Sequence, residues 1–242
     1  VYLSVTSVPK QNKALNMGGK MIIPLDAAVE TMRGKEGENA KNSLSFKAEL
    51  EVSDSLTISG TASVKIKGYI NPYYSLVEDS AYVGRLFSHT DIKESTLNKL
   101  SGRECEAEFE ILSYNPYQEF GGVFMIDMPV FKNGFDAWQL DNIYLNRESA
   151  VKLDYPISES YTMIYTLPES CSVLTPPMLF EAKNDAGEVV VEIEVKNNAV
   201  FVHRSFELAR DQFGVHEIGM LVQLIQAWNN PKWRELVMKR NP

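Results

Sequence analysis

The order His-Glu-Ile-Gly-Met at residues 216–220 is the stretch of the sequence closest to a known chemical motif. In the zinc motif H-E-x-x-H, two histidines four positions apart on one helix bind the metal, and the glutamate acts as a general base. Here Met220 stands where the second histidine is required. Because the motif depends on two nitrogen ligands on one helix face, we reject a zinc site of this type and predict no metal.

A thiol nucleophile with its base could be formed from two cysteines and three histidines, which are Cys105, Cys171, His89, His203 and His216. Such a pair needs a cysteine and a histidine within hydrogen-bond reach, and the sequence leaves open whether any two of them meet. Buried thiols and surface imidazoles are the favoured interpretation, because Cys105 falls on the apolar side of a predicted strand. Two cysteines also leave the redox compartment and the disulfide state open.

Other catalytic signatures are missing from the sequence. It contains no G-x-S-x-G elbow for a serine nucleophile, no G-x-G-x-x-G and no phosphate-binding P-loop. We therefore predict no cofactor and no enzymatic activity for this chain.

Four glutamates occupy alternate positions in one segment, at residues 104, 106, 108 and 110. The residues between them are apolar, which is the period of a strand with one buried and one solvated face. A cation-binding row is the alternative interpretation. A solvated outer face is favoured, because like charges in a row repel one another unless they are paired.

The candidate binding site is a turn with three aromatic residues, Phe131, Phe135 and Trp138. Together they could form a platform for a glycan or for a protein partner. Packing within the turn or the core is the alternative.

Charge and length limit the remaining functions. The chain has 242 residues and a formal net charge of −8, which argues against binding to the polyanionic backbone of nucleic acids. No apolar run approaches the roughly 20 residues of a membrane span. The sequence begins at Val1 without an initiating methionine or a signal peptide, so we expect it to be part of a larger protein.

The clearest structural pattern is at residues 188–208. Val189, Val191, Ile193 and Val195 alternate with Glu188, Glu192 and Glu194, and Asn197-Asn198 supplies a two-residue turn. Such a turn fixes the register of a hairpin, so that Val195 faces Val200, Ile193 faces Val202, Val191 faces Arg204, Val189 faces Phe206 and Glu192 faces His203. The period then changes to that of a helix at residues 215–228, after which a further turn at Pro231 or a closing strand could follow.

The first half predicts two long amphipathic strands at residues 44–52 and 56–66, with Gly60 at a bulge or a close backbone approach. Two helices are predicted to follow, at residues 73–86 and 91–100, before the strand that carries the glutamates. Asn115-Pro116 is the predicted domain boundary. Beyond it, residues 120–130 are predicted as one buried strand, and several short, proline-punctuated strands are typical of a β-sandwich.

A family resemblance is carried by the order of structural motifs along the chain. In sequence order they are Gly18–Ile23, Leu50-x-Val52-x-Asp54-x-Leu56-x-x-Ser59-Gly60, Gly68-Tyr69, Asn146-Arg147, Asp154-Tyr155-Pro156, Leu167-Pro168-Glu169, and the hairpin with Asn198 and Arg204. This order resembles the β-rich region that follows the papain-like core in bacterial transglutaminase-like proteins and ends in a domain of unknown function.

The resemblance implies a fold and a context, but not catalysis. The family's catalytic Cys, His and Asp belong to the core, and no position here matches their motif. The expected fold is mainly β (α+β). Residues 1–115 would form an antiparallel sheet domain with two inserted helices, and residues 116–242 a β-sandwich-like domain with a C-terminal helix.

The expected role is that of a non-catalytic accessory region, with the transglutaminase-like core of the same polypeptide as its partner. The resemblance places the protein in the bacterial periplasm, at the cell surface or outside the cell. A stand-alone extracellular binding module for a glycan or a protein is the alternative.

Overall fold

The computed structural model describes residues 42–67, 91–100, 104–114, 117–128, 148–153 and 157–241. The described strands are β1 (Asn42–Val52), β2 (Ile58–Lys67), β3 (Asp91–Leu100), β4 (Glu104–Tyr114), β5 (Tyr117–Phe120), β6 (Val123–Asp127), β7 (Val151–Lys152), β8 (Ile157–Thr166), β9 (Cys171–Val173), β10 (Met178–Asn184), β11 (Gly187–Lys196), β12 (Ala199–Leu208), β13 (Gln212–Phe213) and β14 (Glu235–Arg240). The helix α1 spans Ile218–Trp228, and short 3-10 helices span Val215–Glu217 and Pro231–Trp233.

Eight strands form the main sheet, in the order β10-β11-β12-β8-β1-β2-β4-β3. Neighbouring strands are antiparallel, except that β1 and β8 run parallel from the pair Asn42 and Ile157 to the pair Glu51 and Thr166. A four-stranded sheet, β5-β6-β14-β9, and the short pair β13-β7 complete the strands. The predicted mainly β fold with a C-terminal helix is therefore confirmed.

One face of the main sheet is buried, and we call it the inner face. On β1 it carries Leu44, Phe46, Ala48 and Leu50, which alternate with exposed or half-buried residues of the opposite, outer face. This alternation is what the sequence shows, because successive side chains of a strand point to opposite sides. Buried residues of the main sheet, the four-stranded sheet and α1 belong to one hydrophobic core.

Trp228, at the end of α1, lies at the centre of an aromatic cluster on the inner face. Its ring centroid is 6.0 Å from that of Tyr161 on β8 and 5.7 Å from that of Phe206 on β12. Tyr161 in turn lies 5.9 Å from Phe46 on β1, and Phe46 lies 6.2 Å from Phe109 on β4. The cluster thus extends from the C-terminal helix across the sheet to β4.

The hairpin predicted at residues 188–208 is confirmed with its full register. Val195 pairs with Val200, Ile193 with Val202, Val191 with Arg204, Val189 with Phe206, and Glu192 with His203. Asn197 adopts a left-handed backbone with φ of 53°, as the two-residue turn requires. The predicted helix that follows is also present, and both a turn at Pro231 and the closing strand β14 come after it.

Gly60 makes the close backbone approach that the sequence predicted. A Cβ atom at this position would overlap the backbone oxygen of Glu49 on β1. The register between β2 and β4 also shifts between Ile58 and Gly60. Here only glycine fits, because it lacks the atom that would collide.

The helix predicted at residues 91–100 is wrong, since this segment is strand β3. It pairs with β4 from Asp91 and Ser113 to Leu100 and Cys105, with three shifts of register on the way. Its polar composition and its cap suited a helix, but hydrogen bonding along β4 overrides such local preferences. The other predicted helix, at residues 73–86, lies outside the described residues.

The single buried strand predicted at residues 120–130 is also wrong, because this segment contains a hairpin turn between two strands. Strand β5 ends at Phe120, Gly121-Gly122 forms a turn, and β6 begins at Val123. Both glycines have positive φ, 62° and 79°, which suits a tight hairpin turn. Phe120 is consequently 91% exposed at the hairpin end rather than buried.

The main sheet contains strands from both sides of the predicted boundary at Asn115-Pro116. Strands β1 to β4 precede it, and β8 and β10 to β12 follow it. The division into two domains stays a prediction. In the described part of the chain, no helix has the length and apolar character needed to cross a membrane.

Candidate functional site

The aromatic turn predicted as a binding site, with Phe131, Phe135 and Trp138, lies outside the described residues. Its role as a platform for a glycan or a protein therefore stays a prediction. The other candidates from the sequence, which are two cysteines, two of the three histidines and the row of glutamates, have defined places in the fold.

Both cysteines are buried in the hydrophobic core. Cys105, on the inner face of β4, is 1% exposed, and burial, followed by the nearby charge of Glu106, raises the pKa of its thiol to about 11. Cys171 begins β9, and its sulfur lies 3.9 Å from the hydroxyl oxygen of Ser170. A thiol acts as a nucleophile only as its thiolate, so the environment of Cys105 opposes such a role.

The described histidines lie apart from Cys105. His203 is on the outer face of β12, where its Nδ1 atom is 3.2 Å from the hydroxyl oxygen of Thr162 on β8. Three strands separate β12 from β4, and Cys105 points to the opposite face of the same sheet. His216 lies exposed in the turn before α1, and His89 is outside the described residues.

The row of glutamates on β4 lies on the outer face, as predicted. Glu104 and Glu106 are half-buried and form ion pairs with Lys65 and Lys67 of the neighbouring strand β2. Glu108 and Glu110 are exposed. No group of three or more metal-binding side chains occurs among the described residues.

The outer face contains a depression of about 600 Å³, which we call the outer-face groove. It lies over β8, β1, β2, β4 and β3. One row of its lining consists of Thr162, Lys47, Ser63, Glu108 and Thr96, and the next row consists of Ile164, Glu49, Thr61 and Glu110. Each row follows directly paired residues across the sheet, so its side chains stand side by side.

The groove offers hydrogen-bonding and charged groups, and its lining has a net charge of −2 from Lys47, Glu49, Glu108 and Glu110. Within the described part of the chain, no ion pair joins Lys47, Glu49 or Glu108 to another residue. The ion pairs of Lys65 and Lys67 with Glu104 and Glu106 lie next to the groove on the same face. The structure thus places these ion pairs beside Lys47, Glu49 and Glu108, which form no ion pair with another described residue.

The groove lies over backbone that is engaged in strand pairing. Its floor is the interior of a sheet, where backbone N–H groups are used in the ladders between strands. They cannot also form an oxyanion hole, which needs free donors directed at a reacting oxygen. Thr162 and His203 are within hydrogen-bond reach of each other. The backbone beneath them is likewise used in the ladder between β8 and β12.

Sequence reasoning did not identify the groove, although it assigned several of its residues to outer strand faces. The alternation at residues 44–66 gave the faces of β1 and β2. The groove exists because β8, more than a hundred residues later, pairs with β1 in parallel. No local pattern in the sequence signals that pairing.

Comparison with known proteins gives a partial match. A family model described as "Domain of Unknown Function with solved-structure structure (DUF3858)" matches residues 123–238. This segment begins with β6 and contains α1 and most of β14, but it leaves out β1 to β4. A domain of unknown function is therefore matched in the C-terminal half of the chain.

Among solved structures, the chain is similar to a protein from Parabacteroides distasonis ATCC 8503 that is described as a "putative protease". The two are 26% identical with a TM-score of 0.46, over 50% of this chain and 24% of the other. The chain thus spans about a quarter of the length of that protein. No curated protein matches the sequence.

Proposed function

We propose that this chain is a non-catalytic accessory region of a larger bacterial transglutaminase-like protein of the periplasm or cell surface. The order of its structural motifs and the match to a domain of unknown function support the proposal. The partner would be the papain-like core of the same polypeptide. The accessory region would support that core or contribute a binding surface to it.

The burial of both cysteines carries the proposal. A transglutaminase-like core uses a cysteine nucleophile, and such a residue must be accessible and readily ionised. Cys105 and Cys171 are instead part of the hydrophobic core, and the pKa of Cys105 is raised to about 11. A nucleophile for the larger protein would then come from outside this chain.

The proposal is tested by assaying the purified chain for hydrolysis and for cross-linking of a peptide amide. We expect no turnover above the rate without protein, and no difference between the unaltered chain and the variants Cys105→Ala and Cys171→Ala. Each variant must be shown to fold, for which its circular dichroism spectrum suffices. Activity that disappears in either variant would show that the chain itself is catalytic.

A stand-alone extracellular binding module is the second candidate, and the outer-face groove favours it because it is an open polar surface. The predicted aromatic turn would give this module a second contact. A glycan array and a protein pull-down with the variant Trp138→Ala distinguish the two surfaces. Loss of binding in that variant would assign the function to the turn, whereas retained binding would direct attention to the groove.

A further inference from the structure

We propose that the outer-face groove binds an extended segment of a partner protein that carries lysine or arginine side chains. The inference is independent of the proposed accessory role, because it depends only on the shape and the charges of this sheet face. It would hold equally for a stand-alone module.

The groove is an open surface of the protein. Lys47, Glu49, Thr61, Glu108 and Glu110 are exposed, although their neighbours along the same strands are buried on the inner face. A volume of about 600 Å³ is within the range of pockets that bind ligands. In the part of the chain that the structure describes, the sheet therefore has one face covered by its own core and one face with an exposed groove.

The charges of the groove select a cationic partner. Three of its four charged side chains are glutamates, and neither Glu49 nor Glu108 forms an ion pair with another described residue. The adjacent carboxylates of Glu104 and Glu106, in contrast, are neutralised by Lys65 and Lys67. A cationic side chain of the partner would neutralise Glu49 and Glu108. Lys65 and Lys67 already do this for the neighbouring carboxylates. An anionic ligand would be repelled.

The spacing of the carboxylates suits a peptide. Glu49 is on β1 and Glu108 on β4, and β2 lies between them, so they are at least about 10 Å apart. In a polyproline II conformation, residues three apart project from the same side, and the chain rises about 9 Å between them. The hydroxyl groups of Thr61 and Ser63, on the intervening strand, can bond to the peptide groups between two such cations.

The same lining is less suited to a glycan. Sugar-binding sites commonly offer an aromatic ring as a stacking surface. The aromatic residue that lines the groove is Phe109, and its side chain belongs to the buried inner face. Ile164 is the apolar side chain that the lining presents outward.

The test is an NMR titration of the isotopically labelled full chain with three synthetic nonapeptides of Ser, Thr and Gly. The first contains two lysines three residues apart, the second two adjacent lysines, and the third two glutamates three residues apart. We expect the first peptide to bind most tightly, to shift the amide signals of Thr61, Ser63 and Thr162, and to weaken as salt is added. The third should produce no shifts.

Two double variants show whether the groove is responsible. Glu49→Gln with Glu108→Gln should weaken binding of the first peptide at least about fivefold. The matched control, Glu51→Gln with Glu181→Gln, removes two exposed carboxylates outside the groove and should bind like the unaltered chain. Equal weakening by both variants, shifts at other residues, or no binding would overturn the proposal. So would binding of a neutral glycan at the groove that the first variant does not alter.

Discussion

Arg204 and Trp228 contact each other twice in the core of the protein. The guanidinium carbon of Arg204 lies 4.4 Å from the centroid of the Trp228 ring, and its Nη2 atom donates a hydrogen bond of 3.2 Å to the backbone oxygen of Trp228. Both residues are almost fully buried. A buried charge is costly without such contacts, so the pair fixes the end of α1 against β12.

Replacing the ring should therefore destabilise the whole protein. We expect Trp228→Ala to lower the free energy of unfolding by about 3–5 kcal/mol, because it leaves a cavity beside Tyr161 and Phe206 and exposes Arg204 to an apolar void. Trp228→Phe should cost less, since it keeps an aromatic face. Urea unfolding followed by circular dichroism measures both.

Val215→Ala is the matched control for this prediction. Val215 also belongs to the C-terminal helical segment, but it is 45% exposed, so its truncation should change the stability by less than about 0.5 kcal/mol. If Trp228→Ala were no more destabilising than Val215→Ala, the aromatic cluster would not be part of the stabilising core.

Local patterns in the sequence predicted those elements in which local and long-range requirements agree. The register of the hairpin formed by β11 and β12 followed from a two-residue turn, because such a turn leaves a single alignment of the two apolar faces. The faces of β1, β2 and β4 followed from strict alternation of apolar and polar residues. The helix α1 followed from its 3.6-residue period.

The remaining elements depend on partners that are distant in the sequence. The segment of β3 carries charged residues and good helix formers, and it becomes a strand because β4 offers a partner along its length. The parallel pairing of β1 with β8 joins residues more than a hundred positions apart. The groove lies across that junction, so several of its residues could be assigned to strand faces from local patterns, but the site could not be predicted.

Two glycines make equivalent contacts at separate points of the sheet. A Cβ atom at Gly60 would overlap the backbone oxygen of Glu49, and one at Gly187 would overlap that of Glu207. Since backbone atoms cannot move aside without breaking strand pairing, we expect Gly60→Ala and Gly187→Ala each to destabilise the protein by at least about 1–3 kcal/mol. Thermal unfolding monitored by circular dichroism gives the comparison.

Gly219 provides the opposite case within the same chain. It lies in α1, and a Cβ atom there would meet no other atom within 4 Å. Gly219→Ala should therefore stabilise the protein by roughly 0.5–1 kcal/mol, because alanine loses less backbone entropy in a helix. Equal effects of the three substitutions would contradict the contacts described for Gly60 and Gly187.

The buried thiol of Cys105 predicts a loss of stability at high pH. Burial raises the pKa of this thiol from 9.0 to about 11, so between these values the folded chain keeps a proton that the unfolded chain releases. Stability from this group is complete below pH 9 and decreases as the pH rises toward 11. Urea unfolding between pH 8 and 11 measures the change.

The variant Cys105→Val isolates this contribution from lysines and tyrosines that titrate in the same range. As the pH rises, the unaltered chain should therefore lose stability relative to this variant. Cys105 should also resist a thiol reagent at pH 8 until the protein is unfolded. Rapid modification of the folded chain at this residue would show that the thiol is accessible.

The continuity of the main sheet predicts that residues on both sides of Asn115-Pro116 unfold together. Strand β1 precedes this point, and it is hydrogen-bonded to β8, which follows it, through a ladder from Asn42 to Glu51. All three tryptophans, at residues 138, 228 and 233, lie after the boundary. Tryptophan fluorescence therefore reports on the second part, while circular dichroism reports on both.

Leu50→Ala truncates a buried side chain of β1, which belongs to the first part of the chain. We expect it to lower the free energy of unfolding by about 2–5 kcal/mol and to shift the fluorescence transition as far as the circular dichroism transition. The exposed neighbour Glu51 provides the control variant Glu51→Ala, which should shift neither. Suppose that Leu50→Ala shifted only part of the circular dichroism transition and left the midpoint of the fluorescence transition unchanged. The two predicted domains would then unfold independently. That outcome would support the division at residue 115 and would contradict the joint unfolding that the ladder between β1 and β8 predicts.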